Sequence, residues 1–287
     1  KLDDPVSKYL PAFGQTGKKK VTVRQLLVHY SGMPADLRQT RRRRITSKNA
    51  LSRVYQSRLS APPGQRFNYS DLGFVVLGKL VEKITGQSLA RFTTNNIFSP
   101  LGMTSTRFLP SSQVVKSIAP RERLKEGGML RGQVHDPLGS KLGGVAGHAG
   151  LFSTAEDLAR FCRMLLQRGS LDGVGVLQPE TVTLMTSPQS PEGEPNIRGF
   201  GWDIQSTYSS LKGDFFSSAS YGHTGFTGTS VWIDPATQTF LIILTNRVHP
   251  DGKGNVKELR TELANIVGRM FQPAISLPAD AAGTHQP

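Results

Sequence analysis

The stretch PPGQRFNYSDLGFVVLGKLVEKITG, residues 62–86, sets a tyrosine, Tyr69, and an acid, Asp71, at the mouth of a segment that reads as a helix from 71 to 84. An acid in a first helical turn faces the partial positive charge of unpaired N–H groups, a common stabilising placement. Tyr69, just ahead of it, reads on its own as a half-buried tyrosine whose hydroxyl needs a partner. Upstream, residues 22–29 and 47–59 read as helices, and downstream so do 89–97 and 153–167. The last opens on Ser153-Thr154-Ala155-Glu156, where the Ser153 hydroxyl and Glu156 carboxylate are placed to form a capping box. Strand signals come later, at 200–206, 217–221, 228–234 and 239–246, the final two separated by the turn Asp234-Pro235-Ala236-Thr237. Such short links imply antiparallel pairing. Helices followed by strands predict an α+β fold. One more amphipathic helix is read from Val256, Leu259, Leu263, Ile266, Val267 and Met270, with that apolar face packed on the sheet. From about Gln272, Pro, Ala, Gly and Thr replace any periodicity. One domain is expected over 1–271, and a disordered tail over 272–287.

A chain of 287 residues can bury a sizeable core, and 37% hydrophobic with 20% charged residues excludes a disordered one. The 35 Lys and Arg against 21 acids give a formal charge of +14, dispersed except at 18–20 and 41–44. No zinc-finger spacing, RNP-type strand or basic heptad accompanies it, so no nucleic-acid partner is expected. The single cysteine, Cys162, excludes an internal disulfide and reads as core filler in the stripe Leu158, Phe161, Cys162, Leu165, Leu166. No run of eighteen apolar residues occurs, so no membrane span is expected. The opening Lys1-Leu2-Asp3-Asp4-Pro5 reads like the interior of a longer sequence.

Common catalytic signatures are missing: there is no His-Glu-x-x-His, no Gly-x-Ser-x-Gly elbow and no complete Walker loop. What remains is Phe67-Asn68-Tyr69-Ser70-Asp71 leading into a helix, and Gly222-His223-Thr224-Gly225 leading out of a strand. Taken singly, each has a structural reading, the second as a strand end turning at glycine.

Their order, with residues 1–11, 21–34, 98–103, 147–161 and 221–246 around them, resembles the serine β-lactamase-like hydrolases grouped with class C β-lactamases, D-alanyl-D-alanine peptidases and related esterases. Residues 134–152, with His135-Asp136-Pro137 and the glycine-rich 143–150, resemble a branch of penicillin-binding-protein-4B-like and cell-wall amidase-like proteins. The resemblance implies a β-lactamase/transpeptidase-like fold: an antiparallel sheet flanked by helices beside a mostly helical lobe. It also implies three motifs. Tyr69-Ser70-Asp71 matches the second, with Asp for Asn, and His223-Thr224-Gly225 the third, in its histidine form. The first, Ser-x-x-Lys, belongs ahead of Lys1, so neither nucleophilic serine nor its lysine is in this chain. Ser209-Ser210-Leu211-Lys212 has the spacing but follows the second motif, and is read as coincidence.

By that resemblance Tyr69, Asp71 and His223 are the catalytic candidates, with Thr224, Gly225 and Phe226 binding substrate and the Phe226 N–H completing an oxyanion hole. A phenol of pKa ~10 serves as a base only where cations favour its ionised form, a charge that His223 and the lysine are placed to supply. The implied chemistry is serine acyl transfer on an amide or ester, in a muropeptide-like or other small substrate, with no metal or organic cofactor. Carboxylesterase and β-lactamase activity remain alternatives within the mechanism, and a non-catalytic binding protein outside it. The family setting favours a periplasmic or extracytoplasmic location. His135, Asp136 and His148 have no known ligand spacing and are read as a hydrogen-bonded loop at the rim of the cleft, and His29 as a helix-end residue serving local structure.

Overall fold

The computed structural model describes residues 1–37, 44–124 and 126–271. The expected tail over 272–287 and most of the basic run at 41–44 lie outside them. The helical lobe comes first: α1 (Val23–Leu27), α2 (Ala50–Gln56), α3 (Asp71–Thr85) and α4 (Leu89–Thr93), the last running into a π turn over Thr94–Phe98 where the sequence suggested one helix. Two-stranded pieces follow, β1 (Arg107–Phe108) with β2 (Leu151–Phe152), between which lie the short α5 (Ser112–Val115) and α6 (Pro137–Lys141). After α7 (Ala155–Leu166) come the pair β3 (Ser170–Leu171) and β4 (Val174–Gly175), then α8 (Pro179–Thr186). The main sheet is β5 (Ile197–Arg198), β6 (Asp203–Gln205), β7 (Tyr221–Thr224), β8 (Thr229–Asp234) and β9 (Thr239–Leu244), antiparallel throughout and in sequence order. The chain closes on α9 (Lys257–Phe271).

Alternation along β8 and β9 divides the sheet between two layers. Ile233, Val231, Phe240 and Ile242 join Cys162, Met164 and Leu165 of α7 in one core. Trp232 and Leu241 turn the other way, onto Ala264 of α9 and onto Phe216 from the segment ahead of β7. The helical lobe has its own core, in which Leu72, Val75 and Val76 of α3 meet Leu26 of α1, Val54 of α2 and Phe13.

Helix α3 positions the site, and local chemistry fixes both its ends. Ser70 is its N-cap, accepting from the Gly73 N–H (3.2 Å) while donating to the Pro34 carbonyl (2.7 Å). Gly86 ends it at φ 68°, a left-handed conformation that costs a glycine little. Between them the glycine-rich loop lies directly on the helix: a Cβ on Gly147 would come 2.1 Å from the Phe74 carbonyl oxygen. Only glycine admits that approach.

Three expectations are corrected. The cap of α7 is Thr154, which accepts from the Asp157 N–H (3.2 Å), while the Ser153 hydroxyl bonds that of Thr106 (2.7 Å). The strand expected at 217–221 begins only at Tyr221, because the Ser217 N–H and hydroxyl both go to the Asp234 carboxylate (2.8 and 2.6 Å) and leave the ladder. The face that α9 buries is Arg260, Ala264 and Gly268, whereas Leu259, Ile266 and Met270 are exposed. Small residues let α9 approach, since a Cβ on Gly268 would meet Phe215 at 2.6 Å.

Candidate active site

Tyr69 precedes the cap of α3, and His223 lies on β7, opposite Val231 of β8. The fold brings the Tyr69 hydroxyl to 3.4 Å from His223 Nε2, the outer limit of a hydrogen bond. His223 Nδ1 lies 2.9 Å from the Thr224 carbonyl, which can only accept. That contact puts the neutral ring's proton on Nδ1 and leaves Nε2 as an acceptor facing the phenol.

The charge expected on His223 is not there at neutral pH. Burial first and the Arg198 guanidinium second draw its pKa down to about 4, against the opposing bond to Thr224. Burial pushes the Tyr69 phenol up to about 12, with Asp71 adding to the rise and Arg198 opposing it. Asp71 occupies the first position of α3, its N–H held by the Ala35 carbonyl (3.0 Å).

Beyond β7 the chain turns tightly. The Gly225 N–H bonds the Thr229 carbonyl, and Arg260 of α9, buried, donates through Nη2 to the carbonyls of Gly225 (3.1 Å) and Thr229 (2.6 Å). The turn presents Phe226, 68% exposed, between the His135 ring (centroids 5.6 Å apart) and the Arg247 guanidinium, 4.2 Å from its centroid. No group among the described residues accepts from the Phe226 N–H.

Of the three residues expected at a rim, His135 parts from Asp136 and His148. His135 stacks on Phe226 and reaches Glu122 Oε1 (3.2 Å). Asp136 caps α6 through the Gly139 N–H (2.6 Å) and pairs with His148 Nε2 (2.8 Å). Among the described residues no three His, Cys, Asp or Glu side chains converge as metal ligands. Ser209 and Lys212 lie in a 3₁₀ turn: the Ser209 hydroxyl donates to the Ser206 carbonyl, and the Lys212 ammonium to the carbonyls of Ile204 and Ser217.

Three further residues surround Tyr69, of which sequence reasoning placed only His29, as a helix-end residue serving local structure. His29, at φ 63° just past α1, accepts from the Ser70 N–H through Nδ1 (3.0 Å) and lies against the Tyr69 ring (4.3 Å). Burial holds it well below the usual histidine range, with Arg198 and His223 adding to the fall. Tyr208 lies 5.6 Å from Tyr69. Arg198, with its partner Asp203, sits beneath the ring. None carries a local signal, because each arrives from a different element.

A sheet between α7 and α9, a helical lobe whose α3 is capped by Ser70, and a tyrosine ahead of that helix meeting a strand-borne histidine are the features of the β-lactamase/transpeptidase class. The chain belongs to the Beta-lactamase family, whose model matches residues 1–265, and which is a family of serine hydrolases. A protein of Escherichia coli (strain K12) named "putative D-alanyl-D-alanine carboxypeptidase" is 32% identical over 279 residues, covering 86% of this chain and 63% of its own length. The chain thus spans less than two thirds of that relative. Among solved structures, a penicillin-binding protein homologue from Caulobacter crescentus shares the fold at TM-score 0.72 and 19% identity, over 93% of this chain and 76% of its own. A family VIII carboxylesterase does so at TM-score 0.69 and 18% identity, with the same two coverages. No helix among the described residues is long and apolar enough to cross a membrane.

Proposed function

We propose that these residues form the proton-handling and substrate-binding part of a serine acyl hydrolase acting on a cell-wall peptide or a related small amide or ester. The observation that carries the reading is the Tyr69 hydroxyl directed at the unprotonated Nε2 of a neutral His223. In its ionised form a tyrosine so placed can take the proton of a serine hydroxyl as that oxygen attacks, and as the resulting phenol deliver the same proton to the leaving group. The Phe226 N–H, without an acceptor among the described residues and on a turn that Arg260 holds, suits one donor of an oxyanion hole. Asp71 and Thr224 border the same cleft, Asp71 as an acceptor-only residue where an amide side chain would also donate. The named carboxypeptidase relative supports a peptide substrate.

In a polypeptide that supplies Ser-x-x-Lys ahead of Lys1, Tyr69→Phe should lower kcat by about 10²- to 10⁴-fold with thermal stability unchanged. Undiminished turnover would leave Tyr69 a packing residue. One observation favours esters over D-alanyl peptides: with His223 neutral, β7 offers a substrate carboxylate no charge attraction. Comparing kcat/KM for D-alanyl-D-alanine peptides and p-nitrophenyl esters decides between them.

A further inference from the structure

The Arg198–Asp203 pair is buried, the two residues 1% and 2% exposed, and it is a poor structural bond. Its shortest contact, Nη1 to Oδ2, is 3.6 Å, longer than a hydrogen bond. Arg198 Nε and Nη2 and Asp203 Oδ1 find no partner among the described residues, and only the Ser206 hydroxyl (3.0 Å) satisfies the other carboxylate oxygen. A buried ion pair with unmet donors stabilises less than apolar residues of the same volume would. Buried unsatisfied groups call for another explanation. Here their position supplies one. The guanidinium carbon lies 5.9 Å from the ring centroids of both Tyr69 and Phe67. The turn that follows it is docked, with the Gly201 N–H on the Leu27 carbonyl (3.1 Å) at the end of α1 and the Phe200 N–H on the Met185 carbonyl (2.9 Å).

We propose that Arg198, held by Asp203, is the cation of this site, a positioning residue that acts through space on Tyr69 and His223. The proposal deepens the reading of those two as proton-handling groups and rests on it. A fixed positive charge beneath Tyr69, whose hydroxyl lies 3.4 Å from His223 Nε2, opposes a second one on His223, so the imidazole stays an acceptor for the phenol. The same charge favours the phenolate, working against burial and against the acids. The charged and titratable groups around Tyr69 are Asp71, Asp203 and Tyr208, which oppose ionisation, and Arg198, which favours it. Those around His223 are Arg198, the Thr224 carbonyl and the neighbouring His29 and Tyr69. A neutral His223 therefore takes no charge from the site, because the charge has moved to β5.

The test titrates the His223 ring by nitrogen–proton NMR in the 287-residue chain, with His223→Gln assigning the signal. In Arg198→Met/Asp203→Leu, which removes both charges at similar volume, the midpoint should rise from about 4 by on the order of one unit, toward the ordinary histidine value. Arg198→Lys should restore the low midpoint. An unmoved midpoint in a double variant with parental near-UV circular dichroism overturns the proposal. Should that variant not fold, Asp203→Asn keeps the cation and removes its counter-charge. The Tyr69 phenol should then titrate below about 12, and a rise overturns the proposal equally. No turnover enters these measurements. A dispensable Tyr69 in hydrolysis would end the proposed function and leave this coupling standing, and an unmoved His223 would do the reverse.

Discussion

His29 and His223 are carried in the fold as neutral rings, and that has a sign in the pH dependence of stability. Both folded pKa values lie below the unfolded one near ~6.5, so below that pH the unfolded chain binds protons that the fold refuses. Their contribution is fully present above ~6.5 and is lost as pH falls below it, the His223 part by about 4. The melting temperature should therefore drop across that window, and His223→Gln should flatten the drop. An equal slope in parent and variant would show that His223 is solvated. At this scale Tyr69 and His223 were legible because each lies in a short string of fixed order. Arg198 was not, because the Ile197–Arg198 strand carries no motif and its meeting with Tyr69 is made only by the docked turn at Gly199–Trp202.

Element boundaries show where local pattern loses to tertiary contact. The sequence placed α3 within a residue, since Asp71 and Gly86 mark its ends by backbone chemistry alone. It was half right about the buried face of α9, where Val267 packs on the Trp232 cluster while Leu259, Ile266 and Met270 are exposed, because hydrophobic spacing says nothing about a contact that wants small residues and one arginine. It also called 217–221 a strand without knowing that Asp234 would claim Ser217. The seating of the glycine-rich loop on α3 gives a comparison of two glycines. Gly86→Ala meets nothing within 4 Å but keeps φ 68°, and should cost about 1 kcal/mol. Gly147→Ala puts a methyl 2.1 Å from a backbone oxygen, so helix and loop must part, at about 2–3 kcal/mol. Urea unfolding should rank them in that order. The reverse ranking would mean that the loop floats free of the helix.

At the scale of the whole chain, the question is what these 287 residues do without added sequence. A serine and its lysine act as a unit, and losing either removes nearly all covalent chemistry. The sequence holds one Ser-x-x-Lys string, Ser209–Lys212. Its geometry is wrong for attack: Ser209 is buried, its hydroxyl turned to the Ser206 carbonyl, and the Lys212 ammonium is spent on two carbonyls of its own neighbourhood. Neither reaches toward the Tyr69–His223 contact. These residues alone should therefore hydrolyse neither nitrocefin nor p-nitrophenyl esters, and incubation with a fluorescent penicillin should leave no covalent label by mass spectrometry. Stoichiometric labelling that Ser209→Ala abolishes would sink this expectation, and would place the nucleophile on the turn before β7. Labelling at another serine would do the same for the assignment of Ser-x-x-Lys to a position ahead of Lys1. An unlabelled chain whose Tyr69 hydroxyl still faces a neutral His223 is the outcome the geometry calls for, since the phenol, the imidazole and the guanidinium beneath the Tyr69 ring are all supplied by residues 69 to 223.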